Sequence, residues 1–282
     1  MIEPAATSGI GLIAGGGQFP LLFAKAAKAR GRRVVAIAHV NETAPELEEL
    51  ADQTYWVKLG QLGKIISSFK RENIRETVFA GTITKTRIFH DILPDLKGLT
   101  LWNKIDRRLD DAILRAVADS LEKEGIRVLA STCFLGHLFF PQGLLTKKKP
   151  TSAQMEDIRF GWKIAREVGR LDIGQCVVVR DRSVLAVEAI EGTDATILRG
   201  GKLAGSGAVV VKVKKPTQDF RFDLPATGVR TIETMKAVKG AVLAVEAGQS
   251  LVFDQQNMVD AANRAGIVIV GLGEDEHGDP RY

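Results

Sequence analysis

Ile10–Ala38 reads IGLIAGGGQFPLLFAKAAKARGRRVVAIA, and the changes of period along it decide the fold. Ile10–Ala14 is a short apolar run of strand type, and Gly15-Gly16-Gly17 follows it as a turn. Leu21–Arg30 has helical spacing, with Leu22, Ala26 and Ala29 on one side and Lys25, Lys28 and Arg30 on another. Gly31 stands where a helix takes its C′ residue, and Arg33–Ala38 is the next strand. Strand, glycine turn, helix, strand is a βαβ unit whose helix start presents N–H groups to an anion. Gly15 and Gly17 fit the dinucleotide pattern GxGxxG, but Pro20 occupies the third position and suits a first helical turn instead. The second strand ends at His39, where an NAD site wants an acid, and Glu42 comes three residues late. An NAD-dependent oxidoreductase is disfavoured. A turn of Gly15, Gly16, Gly17 and Gln18 that approaches a phosphate or sugar is expected, set against glycines that merely permit a tight turn.

The pattern repeats outward from this unit. Thr54–Val57 and Thr77–Ala80 read as strands, Gln61–Glu72 and Leu109–Glu124 as amphipathic helices, and Arg127–Ala130 as a last strand. Gly81–Lys85, with Thr82, follows a strand at the carboxyl edge where open α/β sheets bind ligands. Residues 1–132 are therefore expected to form a Rossmann-like domain with a mostly parallel sheet. Residues 133–150 break the pattern and read as an interdomain connection. Lys147–Lys149 there are either a solvated run or, with Leu138, Phe139 and Phe140, a contact for anionic lipid.

Residues 151–282 are expected to be a second, mixed α/β domain. Thr151–Val168 is helical, and Gln175–Arg180 and Val184–Ala189 form a hairpin at Asp181-Arg182. Asp194 is placed to cap a helix through Leu198, with Arg199-Gly200-Gly201 and Gly205-Ser206-Gly207 as flexible turns beyond it. After the strand Gly207–Val213, helices at Thr231–Lys239 and Met258–Ala265 alternate with strands at Ala241–Val245, Leu251–Asp254 and Ile267–Val270. The tail from Gly273 is polar and expected to be mobile.

Length and composition bound the function. The 282 residues, 45% of them hydrophobic, bury a sizeable core and favour two domains. A net charge of +5 spread along the chain suits an anionic small molecule or membrane surface, and 6% aromatics is too few for nucleic-acid stacking platforms. Cys133 and Cys176 lie far apart without CxxC spacing, so a reduced cytoplasmic setting is the default. No secretory signal is visible and no apolar run approaches a membrane span.

Chemistry gathers in Lys212–Thr231, KVKKPTQDFRFDLPATGVRT. Pro216 stops the strand, and Lys214, Lys215, Gln218, Asp219, Arg221 and Asp223 crowd the connection that follows. A strand end releasing cations and carboxylates together is where phosphate chemistry is expected. Glu188, in an apolar strand, needs a partner or a purpose, and Thr193 and Asp194 lie close behind it. His39, His90, His137 and His277 are scattered and give no zinc motif; GxSxG and GxxxxGK[ST] are missing. Carboxylates beside cations and glycine turns remain, a set suited to Mg²⁺-assisted attack on a phosphate.

The strings IAGGGQFP, AVEAIEGTD and KKPTQDFRFDLPATGVRT resemble, in order and spacing, the LpxI-type UDP-2,3-diacylglucosamine pyrophosphatases over nearly the whole chain. The resemblance implies a two-domain, Mg²⁺-dependent enzyme of lipid A biosynthesis. It implies attack of water at the α-phosphorus of UDP-2,3-diacylglucosamine, giving UMP and 2,3-diacylglucosamine 1-phosphate (lipid X). A cytoplasmic enzyme peripheral to the inner membrane of a Gram-negative bacterium, forming a homodimer, is implied as well. The essential aspartate of the family's RxDLPxxG segment falls on Asp223. Asp223 is then expected to bind Mg²⁺ or orient the water, with Asp219, Glu188 and Asp194 as helpers or further metal ligands. Lys215 and Arg221 would neutralise the pyrophosphate, while the glycine turn, Gln18, Thr82, Thr193 and Gln218 would face the substrate. The alternative is a UDP-sugar or lipid binding protein, or a nucleotide-sugar transferase, on the same α/β halves.

Overall fold

A computed structural model describes residues 9–83, 94–102, 110–216, 218–221 and 224–282. Its chain falls into two units, Met1–Gly136 with Asp219–Asp223, and His137–Gln218 with Leu224–Tyr282. Both are α/β, the first on a parallel sheet and the second on a mixed one.

In the first unit, strands β1 (Ile10–Ala14), β2 (Val34–His39), β3 (Gln53–Val57), β4 (Glu76–Ala80) and β5 (Arg127–Val128) lie in the order β3-β2-β1-β4-β5. Every neighbouring pair is parallel. β1 and β2 are buried along their whole length, as strands covered on both faces must be, which explains their continuous apolar reading. Helices α1 (Phe19–Ala29), α2 (Leu47–Leu50), α3 (Leu62–Arg71), α4 (Leu96–Trp102) and α5 (Asp110–Lys123) accompany the sheet. Pro20 sits in the first turn of α1, where its missing N–H costs nothing. Ile13, Val35, Ile37, Phe69, Phe79 and Leu121 belong to one core cluster. The strand order reverses between β1 and β4, and that reversal is the position where such sheets take ligands.

The second unit has strand order β14-β13-β11-β9-β7-β8, with β6 (Gly143–Leu144) also pairing β13. These are β7 (Cys176–Arg180), β8 (Ser183–Val187), β9 (Val209–Lys212), β11 (Val242–Glu246), β13 (Val268–Glu274) and β14 (Pro280–Arg281). β9, β11 and β13 run parallel, while β7 and β8 are antiparallel. A two-residue pairing of β10 (Ala226–Thr227) with β12 (Leu251–Val252) lies apart. On one face α6 (Ser152–Arg170) packs Ile158, Trp162 and Ala165 onto Val177, Val211 and Ala244. α6 opens with a capping box, Thr151 with Gln154. On the other face α7 (Thr193–Ala204), α8 (Val229–Ala237) and α9 (Gln255–Ala265) contribute to the core of Cys176, Val178, Val210 and Leu243.

The structure departs from the sequence reading at four points. The residue that caps α7 is Gly192, at φ +83, rather than Asp194. α7 also runs on to Ala204 through Arg199-Gly200-Gly201, which is no flexible turn. Glycine is needed there because a Cβ on Gly200 would stand 2.6 Å from Cβ of Val178, and one on Gly201 would meet Val238. The tail is ordered in strands: β13 extends to Glu274, and β14 returns to pair Gly273 with Arg281 and Glu274 with Pro280. In residues 133–150, Phe134 stacks on Phe23 at 5.4 Å in the first unit, while Phe140 is buried in the core of the second and unavailable to lipid. Lys147–Lys149 are exposed.

Candidate active site

In the first unit the loops after β1 and β4 close on each other at the sheet's reversal. The Gly16 N–H donates to Thr82 O at 2.7 Å, the Thr82 N–H to Gly16 O at 3.1 Å, and the Gly15 N–H to Ala80 O at 2.8 Å. A Cβ on Gly15 would stand 2.5 Å from Thr82 O, and Gly81 sits at φ +91 with its missing Cβ against Gly16 O. Gly15, Gly16 and Thr82 are therefore brought together, with Gly17 at φ +84 turning the chain into Gln18 and α1. His39, at the end of β2, is bound inward: Nδ1 lies 2.9 Å from Ala14 O, and burial holds its pKa below the ordinary value against the pull of Ala14 and Glu42. It serves the root of the glycine loop.

Asp219 and Arg221 form a tight pair, also in the first unit. Nη2 of Arg221 lies 2.9 Å from Oδ2 of Asp219, Nε lies 3.2 Å from both oxygens, and the Arg221 N–H donates to Oδ1 at 3.0 Å. Burial raises the Asp219 carboxyl, but the Arg221 guanidinium and amide outweigh it and leave it below the usual range. The Arg221 guanidinium is raised by that hydrogen bond, and its Nη1 also reaches Glu122 at 3.1 Å. Ser131 donates to Phe220 O at 3.5 Å, tying the same tip to the end of the sheet. Asp223 lies outside the described residues.

In the second unit, β9 delivers the root of the motif. The Lys214 N–H donates to buried Glu246 at 2.7 Å. Arg166 holds Glu246 at 3.0 Å and Glu274 at 2.6 Å, and lies 5.3 Å over the ring of Trp162. Burial pushes the Glu246 carboxyl up despite the Lys214 amide and Arg166. Lys215 and Gln218 bracket a turn, the Gln218 N–H donating to Lys215 O at 3.0 Å and the Lys215 N–H to Gln218 Oε1 at 3.2 Å. The Lys215 ammonium pairs with Asp172 at 2.8 Å. Glu188 is buried and accepts the Thr193 hydroxyl at 2.9 Å and the Gln175 N–H at 3.4 Å; Asp194 pairs with Arg230 at 2.8 Å.

These carboxylates bear on the metal expectation. Among the described residues no group of three His, Cys, Asp or Glu side chains could hold a metal ion. Glu188, Asp194 and Asp219 each have a partner of their own, so the described residues do not by themselves make a Mg²⁺ site. Lys212, by contrast, stands out only in the structure. The local motif marks it merely as a lone cation in the otherwise apolar run Gly207–Val213, but it is 4% exposed and points its Nζ at Ala226 O, 2.7 Å away.

The fold and these loops define a two-unit α/β protein with a nucleotide-type glycine turn in one unit and a charged strand exit in the other. Residues 9–138 match the LpxI N-terminal domain and residues 141–270 the LpxI C-terminal domain. The chain belongs to the LpxI family. It is 36% identical over 278 residues, 95% of this chain and 98% of the relative, to "UDP-2,3-diacylglucosamine pyrophosphatase LpxI" of Caulobacter vibrioides. Solved structures with lower similarity include leucoanthocyanidin reductase with NADPH from Vitis vinifera, at 16% identity and a TM-score of 0.29 over 52% of this chain and 41% of that one. Another is gox2253, at 11% identity and a TM-score of 0.32 over 92% and 75% of the two chains.

Proposed function

We propose that this chain is a UDP-2,3-diacylglucosamine pyrophosphatase of lipid A biosynthesis in a Gram-negative bacterium. The observation that carries the reading is the near full-length identity to the Caulobacter relative, over both family domains in their order. Water attacks the α-phosphorus, the bond from that phosphorus to the bridging oxygen breaks, and UMP leaves with the new oxygen. The other product, 2,3-diacylglucosamine 1-phosphate, keeps the bridging oxygen. Asp223 orients the water or holds a metal. The turn Gly15–Gly17, closed against Thr82, gives the nucleotide or sugar phosphate a backbone surface free of side chains at its three glycines. Lys215 and Arg221 reach the pyrophosphate by exchanging Asp172 and Asp219 for it.

The reading includes Mg²⁺ dependence, with Asp223 as first ligand. A bound Mg²⁺ would supply a Lewis acid that offsets charge on the phosphoryl oxygens. Glu188, Asp194 and Asp219 are held by Thr193, Arg230 and Arg221. The proposed enzyme works as a homodimer at the anionic cytoplasmic face of the inner membrane; no described helix is long and apolar enough to cross a membrane. Hydrolysis in H₂¹⁸O with Mg²⁺, with and without EDTA, tests the reading. The label is expected in UMP and the reaction is expected to stop with EDTA. Label in the lipid phosphate would move the attack to the other phosphorus, and tight binding without products would mark a carrier.

A further inference from the structure

Lys212 ends β9, a strand whose other residues are Val209, Val210 and Val211, all fully or almost fully buried. Its side chain emerges on the face covered by α7 and α8, beside Cys176, its partner across the β7–β9 ladder. A buried ammonium calls for an anion, because leaving water without a counter-charge is costly. Among the described residues Lys212 has no ion pair, and its one hydrogen bond goes to the neutral Ala226 carbonyl. The carboxylates nearby are committed: Glu188 to the Thr193 hydroxyl and Gln175 N–H, Asp194 to Arg230. Glu188, Lys212 and Asp194 all act electrostatically on the Cys176 thiol, which burial pushes far up, yet among the described residues neither acid forms an ion pair with Lys212. The carbonyl that Lys212 grips lies two residues before Gly228, the N-cap of α8, which has no side-chain cap. The N–H groups of Val229 and Arg230 in its first turn meet no acceptor among the described residues. Open amides at a helix start favour the same charge that Lys212 lacks.

We propose that Lys212 anchors a phosphate-binding site within the second unit, where its ammonium and the first turn of α8 receive one phosphoryl group of the substrate. The identity of that group as part of a nucleotide-lipid pyrophosphate rests on the function proposed above; the existence of the anion site does not. The full chain and its Lys212→Met and Lys212→Arg variants test it, with inorganic pyrophosphate as probe in calorimetry and UDP-2,3-diacylglucosamine in turnover. Lys212→Met is expected to weaken pyrophosphate binding and kcat/KM by roughly tenfold to a hundredfold, the worth of one charge-assisted hydrogen bond, and Lys212→Arg to recover part of it. Hydrogen exchange of residues 226–232 in the wild-type chain, which needs no variant, is expected to slow when pyrophosphate is added. A folded Lys212→Met with wild-type affinity, or exchange unmoved by pyrophosphate, would overturn the proposal. Wild-type protein that shows Lys212-dependent pyrophosphate binding but leaves the nucleotide lipid intact would keep the anion site and remove the pyrophosphatase reading. UMP release that is indifferent to Lys212 would keep the pyrophosphatase reading and overturn the assignment of this site to a phosphoryl group of the substrate.

Discussion

Asp219 and Arg221 stand two residues apart and hold each other by three side-chain contacts, both less than a third exposed. Bidentate carboxylate–guanidinium geometry is stronger than the usual surface pair, so Asp219→Asn is expected to cost about 1 kcal/mol at neutral pH. The folded pKa of Asp219 lies below its unfolded value of 3.8. Its stabilisation is therefore complete above that value and lost as pH falls through the folded pKa. Urea unfolding of wild type and variant should show a gap at pH 7 that closes in acid; a gap indifferent to pH would place the stabilisation elsewhere. The sequence marks these residues as charged and clustered but cannot show that they partner one another, since proximity in the chain serves a ligand and an internal pair equally. Lys212 was illegible for the opposite reason. The sequence shows a single lysine at the end of an apolar strand, and only the fold shows both faces of that strand covered.

The elements most legible in the sequence are those whose signals are local. β1, the glycine turn, α1 and β2 follow from an apolar run, three glycines, helical spacing and Gly31, all within one unit of supersecondary structure. α7 was only half legible, because Gly200 and Gly201 look like a break by propensity and become helix by packing on β7 and α8. In an exposed helix Gly→Ala gains about 1 kcal/mol. At Gly200 the new Cβ would stand 2.6 Å from Val178 and 3.0 Å from Ala186, between covalently fixed atoms. Gly200→Ala is therefore expected to destabilise by about 1–3 kcal/mol, read as a lower denaturation midpoint with unchanged m-value. A rise in the midpoint would show that α7 moves away from the sheet freely. The exposed lysines 147–149 remain the membrane candidates after Phe140 is assigned to the core. Changing all three to alanine should reduce cosedimentation with anionic liposomes and leave neutral liposomes unaffected; equal binding would remove that segment from the membrane account.

For the whole molecule, the α/β class and its parallel first sheet follow from alternation of elements, while the return of β14 and the grouping of Asp219 and Arg221 with the first unit do not. Both depend on contacts between residues distant in sequence, for which a single chain carries no local sign. Homodimer formation is expected in sedimentation equilibrium at micromolar protein; a monomer across that range would contradict it. Hydrolysis of the nucleotide lipid through Asp223 is tested most directly by UMP release from UDP-2,3-diacylglucosamine by wild type and by folded Asp223→Ala. Metal-dependent UMP from wild type, with most turnover lost in the variant at unchanged cooperative unfolding, is the predicted result. Intact substrate with the wild-type protein, or near-normal UMP from the variant, would contradict it.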